Sequence, residues 1–435
     1  MNKTFNKIAR LVRNSRSDAY FGFLTTRNGM EDRIPLLESQ SVNNVSECKV
    51  EEFEQRFALL VGDGDYISFA SGRMGFYAVM RILNITEGDD VVLTGSTCSV
   101  MVNAVLRIGA RPIYADIDPT TLGSCPEKIK HCITAKTKLV VAQHSFGIPC
   151  RISEIAGMCR NQNIFLLEDC ALAVGSKVRG RSVGTFGDAA LFSTDHTKPI
   201  NTFTGGGIYT ENAEISQMLR EVQAESQSLS LEKQSVMYHQ VRYENTHCLP
   251  GDYGRFCLTE VVRSRFAAYV GRRVSPFLDD DSTANPNSEY PYPAKMPPFL
   301  AQLGIHELDC WSEVSKKRHE RLERYLQLFS GAALKERLPM AYFDPELYIV
   351  PLRFVWADPD AHSRTKKLSR YLHTEGFWFR TPIVATHESL ANFFYAPGCC
   401  PVSEKIGKQI INLPVALTDS DFDCFYSMVG NGLRP

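Results

Sequence analysis

The sequence contains no apolar run that approaches the roughly 18 residues of a membrane-spanning helix. Its N-terminal stretch, MNKTFNKIARLVRNSR, is basic but lacks the apolar core of a secretory signal peptide. The chain also has almost no net charge, −1 at pH 7, because 48 Lys and Arg residues nearly balance 49 Asp and Glu residues. These absences argue against a membrane protein and against bulk electrostatic attraction to nucleic acid.

No two cysteines have the CxxC spacing of a zinc site, although the chain contains 13 of them. Their odd number and scattered positions favour free thiols, which are typical of a reducing compartment. We therefore expect a cytoplasmic protein with no metal site and no nucleic acid partner. The 435 residues also show no internal repeat, and at roughly 100–200 residues per domain they suggest two or three domains.

Short apolar runs alternate with helix-like segments between about residues 60 and 210. The strand-like runs begin at Tyr66, Val91, Pro112, Leu139, Ile164 and Ala189. Strands interleaved with helices indicate βαβ units and a mostly parallel, buried sheet. The sequence therefore predicts an α/β fold with a large domain built on this sheet.

The alternation ends after residue 210. Two helix-like segments, Glu214–Met237 and Leu258–Tyr269, precede a loop rich in Pro, Asn and Ser. A long amphipathic segment follows, and the tail mixes strands with helices. The predicted units are an N-terminal segment (1–59), a large domain (60–295) with an insertion at about 212–292, and a small C-terminal α+β domain (296–435).

Three groups of polar residues follow predicted strands, where ligands bind in open parallel sheets. The run Ser71–Arg73 opens a helix, and backbone N–H groups at a helix start form an anion site. Glu168 and Asp169 follow a buried strand, either as a helix cap or as a functional acid. Lys198 follows the last strand and precedes Gly205–Gly207, a setting for an amine that attacks an aldehyde, although a solvated lysine is the commoner outcome.

A phosphate-binding helix start, a carboxylate for a pyridinium nitrogen and a lysine for an aldehyde are the three anchors of a pyridoxal phosphate enzyme. They lie in the motifs FASGRMGFYAVMRILNITEGDDVVLTG, LLEDCALAVGS, GTFGDAALFSTDHTK and GGGIYT, followed much later by FLAQLGIHELDCW and CCPVSEKIGKQIINLPVALTDSDF. In this order the motifs resemble the DegT/DnrJ/EryC1/StrS sugar aminotransferases, within fold-type I of the pyridoxal phosphate enzymes. The resemblance is close over about 60–210 and looser over about 295–430.

The resemblance implies roles for individual residues. Lys198 matches the lysine that bonds to the cofactor aldehyde, and Asp169 matches the acid that keeps the pyridine nitrogen protonated. Ser193 and Gly72 match positions around the cofactor phosphate, and Arg73 adds a charge-assisted contact there. Lys198 and Asp169 are therefore the predicted catalytic residues.

Four features depart from the family. Cys98 stands where the family stacks an aromatic side chain on the cofactor ring, and Leu172 stands where it has Gln or His. Pro293 occupies the position of an Asn that the neighbouring subunit lends to the phosphate. A long insertion also separates Lys198 from the helix predicted near 299. These departures concern the substrate pocket rather than the lysine chemistry.

Two residues of the C-terminal part match positions that can touch substrate. His387 matches a family His that follows an Arg-x-Pro stretch, and Arg380 matches that Arg. A surface or packing role stays open for each. His144, by contrast, is expected to be structural.

The resemblance implies a homodimer with pyridoxal 5'-phosphate as cofactor. It also implies transfer of an amino group from an amino acid, glutamate by family habit, to a nucleotide-linked keto sugar in surface polysaccharide or secondary-metabolite biosynthesis. Two alternatives stay open: transamination of another carbonyl compound, such as a cyclitol, and a sensor or scaffold without turnover. The family branch that dehydrates its substrate has His in place of the lysine, so Lys198 argues against that reaction.

Overall fold

The structure, a computed structural model, describes residues 12, 14–16, 19–24, 45–249, 251–269, 274–279, 290–329, 335–386 and 388–433. Short strands and helices alternate along it. The strands are β1 (Asp65–Phe69), β2 (Asp90–Thr94), β3 (Thr97–Cys98), β4 (Arg111–Ala115), β5 (Thr137–Gln143), β6 (Phe165–Asp169), β7 (Lys177–Val178), β8 (Arg181–Ser182), β9 (Ala189–Ser193), β10 (Gly206–Thr210), β11 (Leu347–Tyr348), β12 (Arg353–Ala357), β13 (Ile383–Val384) and β14 (Ile410–Pro414).

The helices connect these strands and extend beyond them. They are α1 (Cys48–Val61), α2 (Gly72–Ile82), α3 (Ser99–Arg107), α4 (Pro126–Cys132), α5 (Ile152–Asn161), α6 (Ala213–Glu225), α7 (Leu231–His247), α8 (Tyr253–Tyr269), α9 (Pro298–Leu328), α10 (Ala361–Leu368), α11 (Pro401–Gln409) and α12 (Asp419–Leu433). Among the described residues, no helix is both long enough and apolar enough to cross a bilayer.

The large sheet has seven strands in the order β1-β10-β9-β6-β5-β2-β4. Strands β9, β6, β5, β2 and β4 are parallel, whereas β10 runs antiparallel to both of its neighbours. Parallel strands need helical crossovers that cover both faces, which explains their continuous apolar sequences. The predicted α/β fold with a mostly parallel sheet is confirmed.

One strand of this sheet escaped prediction. The apolar pattern ends its series at β9, and that expectation is wrong, since β10 inserts between β9 and β1. The strand begins with Gly206 and Gly207, and glycine normally weakens a strand. Here the glycines allow close backbone approach, because a Cβ on Gly207 would lie 2.3 Å from the Ile67 carbonyl oxygen.

The predicted helical segment Glu214–Met237 is two helices rather than one. Helix α6 ends at Glu225, and α7 begins at Leu231 after the Ser230 side chain accepts a hydrogen bond from Lys233 N. A serine at this position satisfies a backbone N–H that the helix itself cannot pair. The insertion therefore contains a separate helix pair, α7 and α8.

The C-terminal part forms a small α+β unit with its own core. Strands β12 and β14 pair antiparallel, and the fully buried Phe354 and Trp356 pack on Tyr325 and Phe329 at the C-terminal end of α9. Helix α9 reaches both cores: Leu300 lies in the core of the large sheet, and Tyr325 lies in that of the small unit. A division near residue 295, just before α9, stays our proposal for the domain boundary.

The start of α2 packs directly on β10. Gly206 has a φ of +149°, and a Cβ there would lie 2.7 Å from both the N and Cα atoms of Gly72. It would also lie 2.5 Å from the Phe192 carbonyl oxygen. Position 206 therefore requires glycine, because its φ is positive and because a Cβ would clash with the neighbouring backbone.

We expect Gly206→Ala to lower the free energy of unfolding by about 1–3 kcal/mol, because the added methyl forces α2 away from the sheet. Thermal and urea unfolding measure this loss. Gly180→Ala is the matched control: its φ of +79° is also positive, but a Cβ there meets nothing within 4 Å. If both variants lose equal stability, backbone strain alone accounts for the effect and the contact with Gly72 does not.

Candidate active site

A cavity of about 470 Å³ opens where the carboxyl ends of β6 and β9 meet the start of α2. All of the residues predicted to bind a cofactor line it: Gly72, Arg73, Cys98, Asp169, Leu172, Ser193 and Lys198. They come from four separate stretches of the chain, and the parallel topology brings them to one edge of the sheet.

The α2 end of the cavity suits an anion. Ser71 precedes the helix, is buried and does not cap it with its side chain. The Ser71 Oγ has no hydrogen-bond partner among the described residues, although it lies on the cavity wall. A buried hydroxyl without a partner is costly, and the helix dipole adds positive potential at this point. Phosphate oxygens would satisfy both groups.

Asp169 lies at the end of β6 with only 6% of its surface exposed. Its Oδ1 accepts a hydrogen bond of 3.0 Å from Ala171 N. Burial raises the pKa of this carboxyl, although the Ala171 bond and the charges of Lys198 and His144 oppose the shift. A buried carboxylate in this setting is stabilised by a cationic partner, such as a protonated ring nitrogen.

Glu168, the neighbour of Asp169, has a different role. Its Oε1 accepts bonds from Phe186 N (2.6 Å) and Gly187 N (2.8 Å), and its Oε2 accepts one from Gly184 N (2.9 Å). Successive side chains of a strand point to opposite faces, so only Asp169 reaches the cavity. Both residues belong to β6 itself, and Glu168 fixes the loop before β9.

His144 completes the environment of Glu168. Its Nε2 lies 3.1 Å from Glu168 Oε2, while its Nδ1 accepts a bond of 3.0 Å from Cys150 N. Together with Cys170 these two side chains bring three potential metal ligands within 4.8 Å of one another. The hydrogen bonds already engage the imidazole and the carboxylate, which supports a structural role for the group.

Lys198 lies in the turn that follows β9. Its backbone N donates to Asp195 O at 2.8 Å, and its Nζ lies 5.8 Å from the centre of the Trp378 ring. The amine therefore lies between the large sheet and a side chain of the small unit. Its charge also acts on the Asp169 carboxyl.

The turn that carries Cys98 is held from the C-terminal part of the chain. Strand β3 pairs in parallel with β13, with Cys98 opposite Val384. The Ser99 hydroxyl also donates to Ala385 O at 3.1 Å. Cys98, Ala385 and the buried Leu172 all face the cavity, so these predicted departures from the family lie at the site.

Sequence reasoning missed two cavity residues of the small unit, Arg353 and Trp378. Arg353 is buried and donates to Asn412 Oδ1 (3.2 Å), and burial lowers its pKa to about 9. Asn412 also bonds Trp378 at both N (2.9 Å) and O (2.7 Å), while the buried Trp378 Nε1 has no partner among the described residues. No local motif marks either residue, because both reach the cavity through tertiary packing.

The insertion contributes the third wall, which was not predicted either. Phe277, Leu278 and Asp279 line the cavity beside Arg73 and His196. They lie about 80 residues after Lys198 in a loop-like sequence with no recognisable signal.

The two predicted substrate residues are not both brought to the cavity. Arg380 is exposed and lies outside it; its guanidinium donates to Thr374 O at 2.6 Å and lies 5.1 Å from the centre of the Phe377 ring. His387 lies outside the described residues. Their proposed contact with substrate therefore stays a prediction.

The sequence model of the DegT/DnrJ/EryC1/StrS aminotransferase family matches residues 30–423. The chain therefore belongs to this family, whose members use pyridoxal phosphate. The unpartnered Ser71 hydroxyl, the helix start and the buried Asp169 carboxyl fit that cofactor's phosphate and ring nitrogen. The resemblance to the family is thus confirmed.

Individual relatives match over part of their length. The chain is 37% identical over 39% of its residues to a dTDP-4-dehydro-2,3,6-trideoxy-D-glucose 4-aminotransferase of Saccharopolyspora spinosa, covering 44% of that protein. It is 32% identical over 43% of its residues to the spore coat polysaccharide biosynthesis protein SpsC of Bacillus subtilis (strain 168), covering 51% of it. The matches thus span about half the length of these curated relatives.

A solved structure extends the likeness in fold to nearly the whole chain. The aminotransferase TlmJ from Streptoalloteichus hindustanus superposes with a TM-score of 0.67 at 21% identity. The match covers 95% of this chain and 98% of that one. The insertion and the small unit therefore do not disturb the shared architecture.

We expect Asp169→Asn to fold but to lose about a hundredfold or more in turnover, because a neutral amide no longer favours a protonated ring nitrogen. Steady-state turnover and thermal unfolding, measured side by side, separate catalysis from stability. Near-normal turnover would mean that the Asp169 carboxyl acts only as the hydrogen-bond acceptor for Ala171 N.

Glu168→Gln is the matched control, one residue earlier on β6. We expect it to lower the melting temperature, since three backbone N–H groups lose a charged acceptor. Its turnover below the unfolding transition should fall far less than that of Asp169→Asn. A larger loss of turnover in Glu168→Gln than in Asp169→Asn would contradict the structural role of Glu168 and the catalytic role of Asp169.

Proposed function

We propose that this protein is a pyridoxal phosphate-dependent aminotransferase that moves an amino group from an amino acid, glutamate by family habit, to a nucleotide-linked keto sugar. The observation that carries the proposal is the convergence of Lys198, Asp169 and Ser193 on one cavity at the start of α2. The names of its relatives, a dTDP-sugar aminotransferase and a spore coat polysaccharide protein, support the sugar and the setting in polysaccharide or secondary-metabolite biosynthesis.

When bound, pyridoxal phosphate supplies an aldehyde for the amino group and a conjugated ring that delocalises the electron pair left on the donor Cα. The chain supplies the remaining parts. Ser71, Ser193 and Arg73 would hold the phosphate, and Asp169 would keep a proton on the ring nitrogen. Lys198 would hold the cofactor aldehyde through its amine, and the same amine would serve as the base that takes the proton from the donor Cα.

The walls of the cavity position the substrates in turn. Trp378 and Cys98 lie on the walls contributed by the small unit and by β3, and Leu172 lies beside Asp169. These largely apolar surfaces limit the water around the half-buried Lys198, which favours proton transfer within the site. The buried Arg353 adds a positive charge that suits an acidic substrate group.

We also propose a homodimer located in the cytoplasm. The resemblance to fold-type I enzymes, whose sites lie at a dimer interface, supports the dimer. All thirteen cysteines are free, which is typical of proteins in reducing compartments. Sedimentation of the purified protein tests the dimer directly.

Lys198 provides the test of the proposal. We expect the purified protein to be yellow, with a visible band that borohydride bleaches as it fixes the cofactor to Lys198. Mass spectrometry of the reduced protein should locate the added mass on the peptide that contains Lys198. Lys198→Ala should lose the band, whereas the exposed Lys136→Ala should keep it; an unchanged band in Lys198→Ala would overturn the assignment.

A different carbonyl substrate, such as a cyclitol, is the second candidate. The observation in its favour is that Cys98, Leu172 and the insertion residues Phe277–Asp279 all line the cavity. These are the positions at which the chain departs from its family. A panel of keto sugars and keto cyclitols, assayed with glutamate, distinguishes the two, and no turnover with any of them would favour the sensor alternative.

Cys98 gives a sharper test of the pocket. A thiol forgoes aromatic stacking worth roughly 0.5–1.5 kcal/mol and leaves space for a bulky acceptor. We expect Cys98→Phe to retain the cofactor but to slow the acceptor half-reaction more than the glutamate half-reaction. Stopped-flow absorbance measures the two halves separately; equal slowing, or no change in either, would mean that Cys98 does not border the substrate.

A further inference from the structure

A short segment of the insertion, Ser275–Asp279, runs along the cavity. We refer to this segment as the strap. Three of its residues, Phe277, Leu278 and Asp279, line the cavity. Leu278 is buried, and Phe277 is half-buried. The strap therefore belongs to the site rather than to the outer surface.

Lys233 of α7 holds the strap by its backbone. Its Nζ donates to Ser275 O at 2.7 Å and to Phe277 O at 2.5 Å, and only 8% of the residue is exposed. A buried ammonium is costly unless its donors are satisfied, so these bonds fix the relative positions of helix and strap. At the other end, the Tyr290 hydroxyl donates to Asp279 O at 2.9 Å.

The strap packs on the turn that carries the predicted catalytic lysine. The Phe277 ring lies edge-on to His196, with centres 5.7 Å apart, and 5.4 Å from the ring centre of Phe203. His196 lies two residues before Lys198, and Phe203 follows the same turn. The aromatic contacts therefore set the distance of the strap from the lysine turn.

Arg73 links the strap to the start of α2. Its Nη2 donates to the Leu278 carbonyl oxygen, and its side chain lines the cavity beside Ser71. A guanidinium is planar and carries five N–H donors in fixed directions, so one bond to a held carbonyl orients the other donors. The orientation of Arg73 thus depends on where Lys233 holds the strap.

We propose that the strap positions Arg73 for the cofactor phosphate, with Lys233 as the positioning residue. This inference rests on the proposed function, because it takes pyridoxal phosphate as the ligand. Coupling between two sites is reciprocal, so phosphate binding must in turn stabilise the strap.

The experiment compares two ligands that differ only in the phosphate, pyridoxal phosphate and pyridoxal, titrated into the apoprotein and followed by absorbance. We expect Arg73→Met to lower the affinity for pyridoxal phosphate by about tenfold to a hundredfold, the usual effect of losing a charged hydrogen bond. Lys233→Met should lower the same affinity by about three- to tenfold. Neither variant should change the dissociation constant of pyridoxal.

The double variant separates positioning from a simple loss of charge. If Lys233 acts through Arg73, adding Lys233→Met to Arg73→Met causes no further loss of affinity. Additive losses would mean that Lys233 acts independently, and equal weakening of both ligands would mean a general structural role; either result overturns the inference. Lys317→Met should leave both affinities unchanged; it removes a half-buried lysine of α9 that pairs with Glu313 of the same helix and with Asp419 at the start of α12.

A measurement on the unaltered protein keeps the test independent of how the variants fold. Hydrogen exchange of the peptide that contains the strap should slow more with pyridoxal phosphate than with pyridoxal. Equal protection by the two ligands would overturn the inference while leaving the proposed function intact. If neither ligand binds the unaltered protein, the proposed function itself is wrong and the inference falls with it.

Discussion

The contact between the backbone of Gly206 and the start of α2 is the constraint on which the rest of the site depends. Because neither Gly206 nor Gly72 has a side chain, the helix start lies directly on the sheet, between the ends of β9 and β10. The positive end of the helix dipole is thereby placed at the same edge as Asp169 and Lys198. A ligand whose phosphate binds at this helix start can extend along the cavity toward the Asp169 carboxyl and the Lys198 amine, as a phosphorylated aldehyde cofactor requires.

Glu168 and Asp169 are adjacent on β6, so their side chains point to opposite faces of the sheet and have different surroundings. Both carboxylate oxygens of Glu168 are hydrogen-bonded within the fold, to three backbone N–H groups and to His144. Asp169 faces the cavity and, within the described part of the chain, accepts a hydrogen bond from the N–H of Ala171; burial raises its pKa. A cationic ligand stabilises a buried carboxyl in this state, which supports the role proposed for Asp169 as the partner of a protonated ring nitrogen.

Much of this could be read from the sequence, since local patterns specify local structure. The parallel strands, the helix start at Ser71–Arg73 and the lysine turn each occupy one continuous motif, and the topology of a parallel sheet brings strand ends together. Strand β10 was missed because its glycines serve backbone approach rather than strand propensity. Arg353 and Trp378 were missed because their places depend on Asn412, a partner that no spacing connects to them.

The parts of the cavity therefore differ in how they are built. The base, formed by α2, β6 and β9, is fixed by backbone contacts of the large sheet, and it carries the groups proposed for the amino transfer. The walls are held by a few contacts from elsewhere: Asn412 bonds Trp378, strand β13 pairs with the turn of Cys98, and Lys233 and Tyr290 bond the strap. A wall held by a few such contacts can change without disturbing the base, because the backbone bonds of the large sheet are not involved. This separation fits the predicted departures from the family at Cys98, Leu172 and the insertion, because none of them replaces Lys198, Asp169 or Ser193.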